Sequence, residues 1–235
     1  MTNEIIFFVT AIIDLVAVLC LLRMFGKAGP ILAIAINIIL ISTFGAKLIS
    51  LFGFVTNVGN VFYATVFAAT MLLTEHYGKG VAYKSIWISF AGLILFIFMG
   101  QLTIRAIGVP DTLNVDIAMN TLFHVAFRVA LASASAYILS QHLAISIFSR
   151  LFEYYHGGKL WLRVIVSASF GQLLDSIVFF SIAFAGELGG ITLIQVIFVG
   201  MGAKIIVALI SIPFIYKSYA YKPKQEDGFL SPVVF

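Results

Sequence analysis

Long apolar stretches, each about as long as a bilayer is thick, dominate this sequence. Seven such stretches can be counted, and short segments rich in glycine, proline or charge separate them. A helix needs about 20 apolar residues to cross the hydrocarbon core of a membrane. The pattern predicts an all-α integral membrane protein, a bundle of seven transmembrane helices at residues 4–24, 30–53, 57–75, 84–107, 118–147, 161–185 and 190–216.

The composition supports the same class. Hydrophobic residues make up 62% of the 235 residues, and charged residues only 10%. Soluble domains carry about 25% charged residues, so this chain could not cover itself with a polar surface in water. We expect a single transmembrane domain at 1–217, in contact with lipid, and a short cytoplasmic tail at 218–235. The stretch at 118–147 is longer than a bilayer requires and must tilt, kink or project.

The basic residues are distributed unevenly between the two sides of the predicted bundle. Ten of the 14 Lys and Arg fall on one side: Arg23, Lys27, Lys79, Lys84, Arg150, Lys159, Arg163, Lys217, Lys222 and Lys224. Loops on the cytoplasmic side of a membrane protein carry an excess of Lys and Arg. The sequence thus predicts an inner-membrane protein with its N-terminus outside and its C-terminus in the cytoplasm. Because these charges are spread over short loops, we expect no nucleic-acid partner.

Several classes of active site lack their sequence signals. The one cysteine, Cys20, rules out an internal disulfide and a site of several cysteines. The four histidines are scattered without an H-E-x-x-H pattern, and there is no phosphate-binding loop of the ATPase type. We therefore expect no metal, no cofactor and no enzymatic activity.

Polar residues inside the predicted helices are the candidates for function, because they are expensive at membrane depth. Gln172 and Asp175 are spaced to share one helix face, and Asp175 and Lys204 both lie near mid-helix in neighbouring spans, where they could pair. The alternative is that such groups only lock the bundle. The full set is Asp14, Lys47, His124, Arg128, Gln141, Gln172, Asp175, Gln195 and Lys204, with Glu75 near a helix end. Lys47, which could snorkel, and Asp14, which has no evident partner, are the weakest.

Four segments resemble the queuosine precursor transporter family, also called the vitamin-uptake-transporter-like family. They include R-V-A-L-A-S-A-S-A-Y-I-L-S-Q and W-L-R-V-I-V-S-A-S-F-G-Q-L-L-D-S, and they occupy residues 64–86, 128–153, 161–186 and 203–216. The resemblance covers about residues 60–216. It implies a six-helix core, similar to the substrate-binding subunits of energy-coupling-factor importers, to which this chain adds an N-terminal helix.

The resemblance also implies a function and a set of site residues. Such proteins import 7-deazaguanine precursors of a modified tRNA nucleoside. Carried over position by position, it marks Glu75, Arg128, Gln141, Arg163, Gln172, Asp175 and Lys204. Two positions depart from the family pattern, since Met71 and Ala144 stand where acids are usual. The energy source is either an external energy-coupling ATPase module or an ion gradient, for which Asp175 or Glu75 could carry a proton.

The side chains suit a flat, hydrogen-bonding base. A carboxylate such as Asp175 accepts two adjacent N–H groups, and Gln141 and Gln172 offer both donors and acceptors to the ring. Lys204 and Arg128 would support the carboxylate or contact substrate acceptors. The alternatives are a carrier of another small vitamin-like solute, a retinal-binding photoreceptor with a Schiff base at Lys204, and a membrane-embedded enzyme.

Overall fold

A computed structural model describes residues 2–45, 47–123, 127–184 and 190–221. Several side chains within these ranges, chiefly those of 127–131 and 190–197, are outside the description. Almost all of this part of the chain is helical. The helices are α1 (Asn3–Phe25), α2 (Ala28–Phe44), α3 (Gly59–Thr103), α4 (Leu113–Phe123), α5 (Phe127–Tyr154), α6 (Leu160–Phe184) and α7 (Gly190–Ser218). Two short strands, β1 (Leu48–Leu51) and β2 (Phe54–Asn57), lie between α2 and α3.

The second helix is shorter than the sequence predicts. It ends at Phe44 rather than at residue 53, and the apolar residues that follow form an antiparallel hairpin of β1 and β2. The hairpin turns through Phe52 and Gly53, which both have positive φ. A short apolar run fits a strand as well as a helix, so hydropathy alone could not locate this boundary. Lys47 consequently lies beyond α2 and not within a membrane-spanning helix.

The third and fourth predicted spans are the two halves of α3, at residues 59–77 and 79–103. They are joined at Gly78, whose φ of 80° and ψ of 166° interrupt the helix. The first half runs parallel to α5. The Tyr63 hydroxyl lies 3.2 Å from the Ser140 hydroxyl of α5. One turn further along both helices, Phe67 and Ala144 both pack against Gly171 of α6.

The second half of α3 runs in the opposite direction. Its Ser89 hydroxyl lies 2.6 Å from the Tyr137 hydroxyl, and its Tyr83 hydroxyl lies 2.8 Å from Ser146 further along α5. The pairing order along α5 is thus reversed relative to the first half. Gly78 therefore folds α3 back on itself, as two separate spans would require.

The fifth predicted stretch, at 118–147, corresponds to two described helices. α4 contains no buried residue and ends at Phe123, whose carbonyl accepts a hydrogen bond from Gln101. α5 extends to Tyr154, beyond the predicted end. The predicted sixth and seventh helices, by contrast, match α6 and α7 to within two residues at each end.

Three helices in the described ranges are long and apolar enough to cross a membrane. They are α1, α3 and the segment Leu160–Ile182 of α6, while α2 is apolar but shorter. These helices agree with an all-α membrane protein. The count of seven spans and the single domain at 1–217 stay predictions.

Basic side chains gather at one end of the helix bundle. The Arg23 guanidinium at the end of α1 lies 5.6 Å from the Tyr221 ring centroid, and Lys79 lies 3.7 Å from Glu153. At the other end, Glu4 accepts a hydrogen bond from the Phe52 amide in the hairpin turn. Arg23 and Lys79 thus lie at the end opposite the hairpin, whereas Lys47 lies beside the hairpin.

Candidate functional site

An ion pair lies between the middles of α6 and α7. The Lys204 ammonium donates to Asp175 Oδ2 at 2.9 Å, and both side chains are less than a tenth exposed. This pairing confirms the expectation that the two residues meet. Two charges in an apolar interior are tolerated when each offsets the other and further hydrogen bonds satisfy what remains.

Tyr63 of α3 provides the second hydrogen-bond donor to this carboxylate. Its hydroxyl donates to Asp175 Oδ1 and lies near the Ser140 hydroxyl, while the Lys204 ammonium sits 4.5 Å from its ring centroid. Four helices thus meet at one polar cluster, made of Tyr63, Ser140, Asp175 and Lys204. Each carboxylate oxygen has one donor and keeps a second lone pair that can accept from a ligand.

Two glutamines beside this cluster are buried without any hydrogen bond. Gln141 follows Ser140 in α5, Gln172 precedes Asp175 by one helical turn, and both are fully buried. Among the described residues, the amide oxygen and nitrogen of each have no partner, and neither does the Ser176 hydroxyl. An unpaired buried polar group costs about 1–3 kcal/mol, and proteins rarely retain one without a reason. A ligand that supplies donors and acceptors would satisfy both amides.

α5 and α6 approach closely next to these glutamines. A Cβ atom at Gly171 would lie 2.5 Å from the Phe67 ring and 2.9 Å from the Ala144 Cβ. Ala144 is therefore a packing position in this chain, as is the fully buried Met71, whose sulfur accepts a hydrogen bond from Ser167. At the two positions where the family pattern suggests acids, this chain thus has buried, uncharged side chains.

A second polar cluster holds Glu75 and Arg163 at the basic end. The guanidinium binds both oxygens of the carboxylate and also donates to the carbonyls of Gly157 and Gly158. Arg163 and Asp175 are twelve residues apart in α6, or about 18 Å along the helix. The structure thus divides the predicted site residues between two places.

Tyr219 joins this second cluster from the end of α7. Its hydroxyl donates to Glu75 Oε1. Burial, together with the hydrogen bond to that carboxylate, raises the pKa of Tyr219 to about 12. The phenol therefore remains a donor at any physiological pH. Glu75, Arg163 and Tyr219 tie the middle of α3, the start of α6 and the end of α7 together.

The other sequence candidates lie elsewhere. Arg128 and Gln195 lie in α5 and α7, but their side chains are outside the described part of the structure, as is the whole of His124. Lys47 lines a cavity of about 260 Å³ between α1 and the hairpin. None of the residues of the Asp175 cluster (Tyr63, Ser140, Asp175 and Lys204) lines this cavity. Asp14 has a partner that the sequence did not reveal, the amide of Asn37 in α2.

Two residues of the Asp175 cluster were not predicted from the sequence. Tyr63 and Ser140 lie in apolar stretches and read there as ordinary packing residues. A weak signal for Ser140 was its place directly before Gln141. Tyr63 carried none, because its importance comes from a contact with a residue 112 positions away. In the described residues, no group of three His, Cys, Asp or Glu could hold a metal ion.

Comparison with known proteins identifies the family. Residues 57–218 match the family model described as "Putative vitamin uptake transporter". A protein of Bacillus subtilis named "Probable queuosine precursor transporter" is 31% identical over 217 residues, covering 92% of this chain and 94% of the relative. A protein of Haemophilus influenzae with the same name is 30% identical over 136 residues, covering 57% of this chain and 54% of the relative. No solved structure matches significantly. The resemblance seen in the sequence is confirmed, and the chain belongs to the vitamin uptake transporter family that includes these queuosine precursor transporters.

Proposed function

We propose that this transporter imports a queuosine precursor, a base of the 7-deazaguanine type, into the cytoplasm. The observation that carries the proposal is the pair of fully buried, unpartnered amides, Gln141 and Gln172, beside the Asp175–Lys204 ion pair. The relatives named as queuosine precursor transporters support the substrate class.

The chemistry of the cluster matches the edges of such a base. The free lone pairs of Asp175 accept the adjacent ring and exocyclic N–H groups, in the planar arrangement that carboxylates favour. Gln172 and Gln141 then pair with the carbonyl and ring nitrogens. The Tyr63 ring, which lies against Lys204, gives the flat base an aromatic neighbour. Arg128 remains a proposed contact to substrate acceptors.

Glu75 and Arg163 take a different role in this proposal from the one carried over by resemblance. Their bidentate pair lies at the basic end of the bundle, away from Asp175. By the positive-inside rule that end faces the cytoplasm of an inner membrane. We propose that the pair closes the inner side while the substrate enters from the hairpin side, and that it opens for release.

Substitution of an unpartnered glutamine gives a test in which binding and stability move in opposite directions. In Gln172→Met the unpaired amide is replaced by an apolar side chain of similar size. We expect the ligand-free protein to be as stable as the wild type or more stable, because an unsatisfied polar group is removed. Affinity for the base should fall by about tenfold or more, the value of a lost hydrogen bond of about 1–3 kcal/mol.

The measurement is a thermal-shift panel on detergent-purified protein. The ligands are the nitrile and aminomethyl 7-deazaguanines, queuine, guanine and common vitamins. Gln101→Met, at a glutamine that bonds to Phe123 outside the cluster, is the matched control and should keep the full ligand-induced shift. A full ligand-induced shift in Gln172→Met would contradict the proposed substrate site. A shift by a vitamin but by none of the deazaguanines would favour the alternative, a carrier of another small solute.

That alternative has one observation in its favour. Met71 and Ala144 are fully buried apolar residues at the positions where the family pattern suggests acids. A solute with fewer hydrogen-bond donors would need fewer carboxylates. The chain belongs to a transporter family, which supports a carrier over the photoreceptor and enzyme alternatives.

A further inference from the structure

A third membrane-embedded carboxyl group lies apart from both polar clusters. Asp14 is near the middle of α1, and its Oδ1 accepts a hydrogen bond of 3.1 Å from the Asn37 amide of α2. Its Oδ2 is buried and has no partner. Such a residue inside a membrane is a functional candidate by default, because exposure to an apolar medium is costly.

The orientation of the Asn37 amide is set by its surroundings. Asn37 is only 2% exposed, and its nitrogen donates to both Asp14 Oδ1 and the Ala33 carbonyl. Both amide hydrogens are therefore used, and Asn37 Oδ1 must be an acceptor. That oxygen is buried and has no donor. Asp14 and Asn37 thus hold two unpaired acceptor oxygens between them.

One proton would resolve this mismatch. A hydrogen on Asp14 Oδ2 turns that oxygen into a donor, and Asn37 Oδ1, on the residue already bonded to Asp14, is an acceptor without a donor. A divalent metal ion would require about six oxygen ligands, where this pair offers two unpaired ones. The donor and acceptor count favours a proton.

The surroundings of Asp14 provide no compensating positive charge in the described part of the chain. α1 packs against α2, α3, α7 and β1, and the neighbours that act on Asp14 are Asn37 and Thr65. The Thr65 hydroxyl donates its hydrogen to the Val61 carbonyl at 3.3 Å, so Asp14 Oδ2 keeps no donor among the described residues. The charged and titratable side chains of these elements lie near helix ends or near Gly78, are exposed, or have other partners: Glu4, Cys20, Arg23, Tyr63, Glu75, His76, Tyr77, Lys79, Tyr83, Lys84, Lys204, Tyr216 and Lys217. Asp175 and Glu75, the sequence candidates for proton binding, are each paired with a cation instead.

A cavity on the hairpin side extends along α1 towards Asp14. The cavity of about 260 Å³ between α1 and the hairpin is lined by Phe7 and Thr10 of α1. Thr10 and Asp14 are four residues apart and lie on the same face of the helix. The cavity therefore ends one helical turn from the carboxyl group.

We propose that Asp14, supported by Asn37, is the proton-binding site through which this transporter uses the proton gradient. The coupling role of Asp14 rests on the proposed transport function, whereas proton binding by Asp14 does not depend on that function. A proton enters from the hairpin side, binds Asp14 Oδ2, is held by Asn37 Oδ1, and leaves to the basic side when the bundle opens there. Uptake thus needs no external ATPase.

Proton binding is tested on the purified protein without any substrate. Infrared difference spectra between acidic and alkaline pH should show, in the wild type, the high-frequency carbonyl band of a protonated carboxyl group in apolar surroundings, and Asp14→Asn should lack this band. This variant has nearly the same shape as protonated Asp14, so it should fold. Asp111→Asn, at an exposed acid, is the control and should keep the band. A band of unchanged size in Asp14→Asn would overturn the proposal.

Coupling is tested in proteoliposomes with a 7-deazaguanine base. An imposed proton gradient should drive accumulation by the wild type at least tenfold above equilibrium. Asp14→Asn should exchange internal for external base but not accumulate it. Equal accumulation by Asp14→Asn and the wild type would overturn the coupling role. Failure of the wild type to move any deazaguanine would instead overturn the proposed substrate, and the infrared result would stand by itself.

Discussion

At the scale of single residues, the interior of this protein contains paired charges next to amides that have no hydrogen-bond partner. Asp175 has a cation on one oxygen and a phenol on the other. Gln141 and Gln172 are buried next to it with no partners. Stability by itself would favour apolar side chains in place of the glutamines, which is the physical reason for proposing that a substrate pairs with them.

Removing one partner of the buried ion pair should destabilise the protein strongly, whereas replacing both partners should change its stability little. Lys204→Met leaves the Asp175 carboxylate without its cation, and we expect a loss of about 3 kcal/mol in the free energy of unfolding. The double variant Lys204→Met/Asp175→Asn should recover most of that loss while substrate binding stays absent. Unfolding of the purified protein in detergent measures both.

The control for this experiment is the exposed pair of Lys79 and Glu153. Lys79→Met should change the free energy of unfolding by no more than about 0.5 kcal/mol, because solvent-exposed ion pairs contribute little. Equal effects of Lys204→Met and Lys79→Met would contradict the view that Asp175 and Lys204 are shielded from water.

At the scale of elements, the reversal within α3 is what brings the cluster together. The first half runs parallel to α5 and presents Tyr63 to Asp175, while the second half returns along α5 through Ser89 and Tyr83. The reversal depends on Gly78. Its φ and ψ lie in a region that is essentially restricted to glycine.

Gly78→Ala should therefore destabilise the protein by about 1–3 kcal/mol, through backbone strain alone. A Cβ at Gly78 would meet nothing within 4 Å, so a steric clash is not the cause. Gly80→Ala is a matched substitution two residues away, also in open space but without a positive φ, and should stabilise by about 0.4–1 kcal/mol. Thermal unfolding of both variants decides the matter, and the same sign of change for both would contradict this account of the turn.

At the scale of the whole molecule, the bundle has a basic end and a hairpin end. Arg23, Lys79 and Arg163 mark the first, and Glu4 with the Phe52 turn marks the second. Substrate transfer and proton transfer, as proposed, both run from the hairpin end to the basic end. The orientation of the bundle is therefore the property on which the direction of transport depends.

Orientation can be tested by labelling of introduced cysteines, with the single native thiol removed by Cys20→Ser. Phe52→Cys lies in the hairpin turn and Tyr154→Cys at the end of α5, and both positions are well exposed. We expect a membrane-impermeant maleimide to label Phe52→Cys in intact cells, and Tyr154→Cys only after permeabilisation. The reverse pattern would contradict an N-terminus outside and import towards the basic end.

Much of the architecture could be read from the sequence, because hydropathy is a local property. The first, sixth and seventh helices have nearly the predicted bounds. The hairpin was missed, since a short apolar run does not distinguish strand from helix. In the site, the Asp175–Lys204 pair was predictable because two unlike charges at one depth in neighbouring spans have few other partners.

The sequence by itself thus indicated the membrane environment, the family and the uneven distribution of basic residues among the loops, since each depends on composition and on residues close together in the chain. Only the tertiary structure decided which polar groups meet. It separated Glu75 and Arg163 from Asp175, brought Tyr63 to that carboxylate, and gave Asp14 its partner Asn37. These contacts depend on helix rotation and on the reversal at Gly78, and no local pattern records either. The same packing left Gln141 and Gln172 unpaired, which is why the candidate site became visible only in three dimensions.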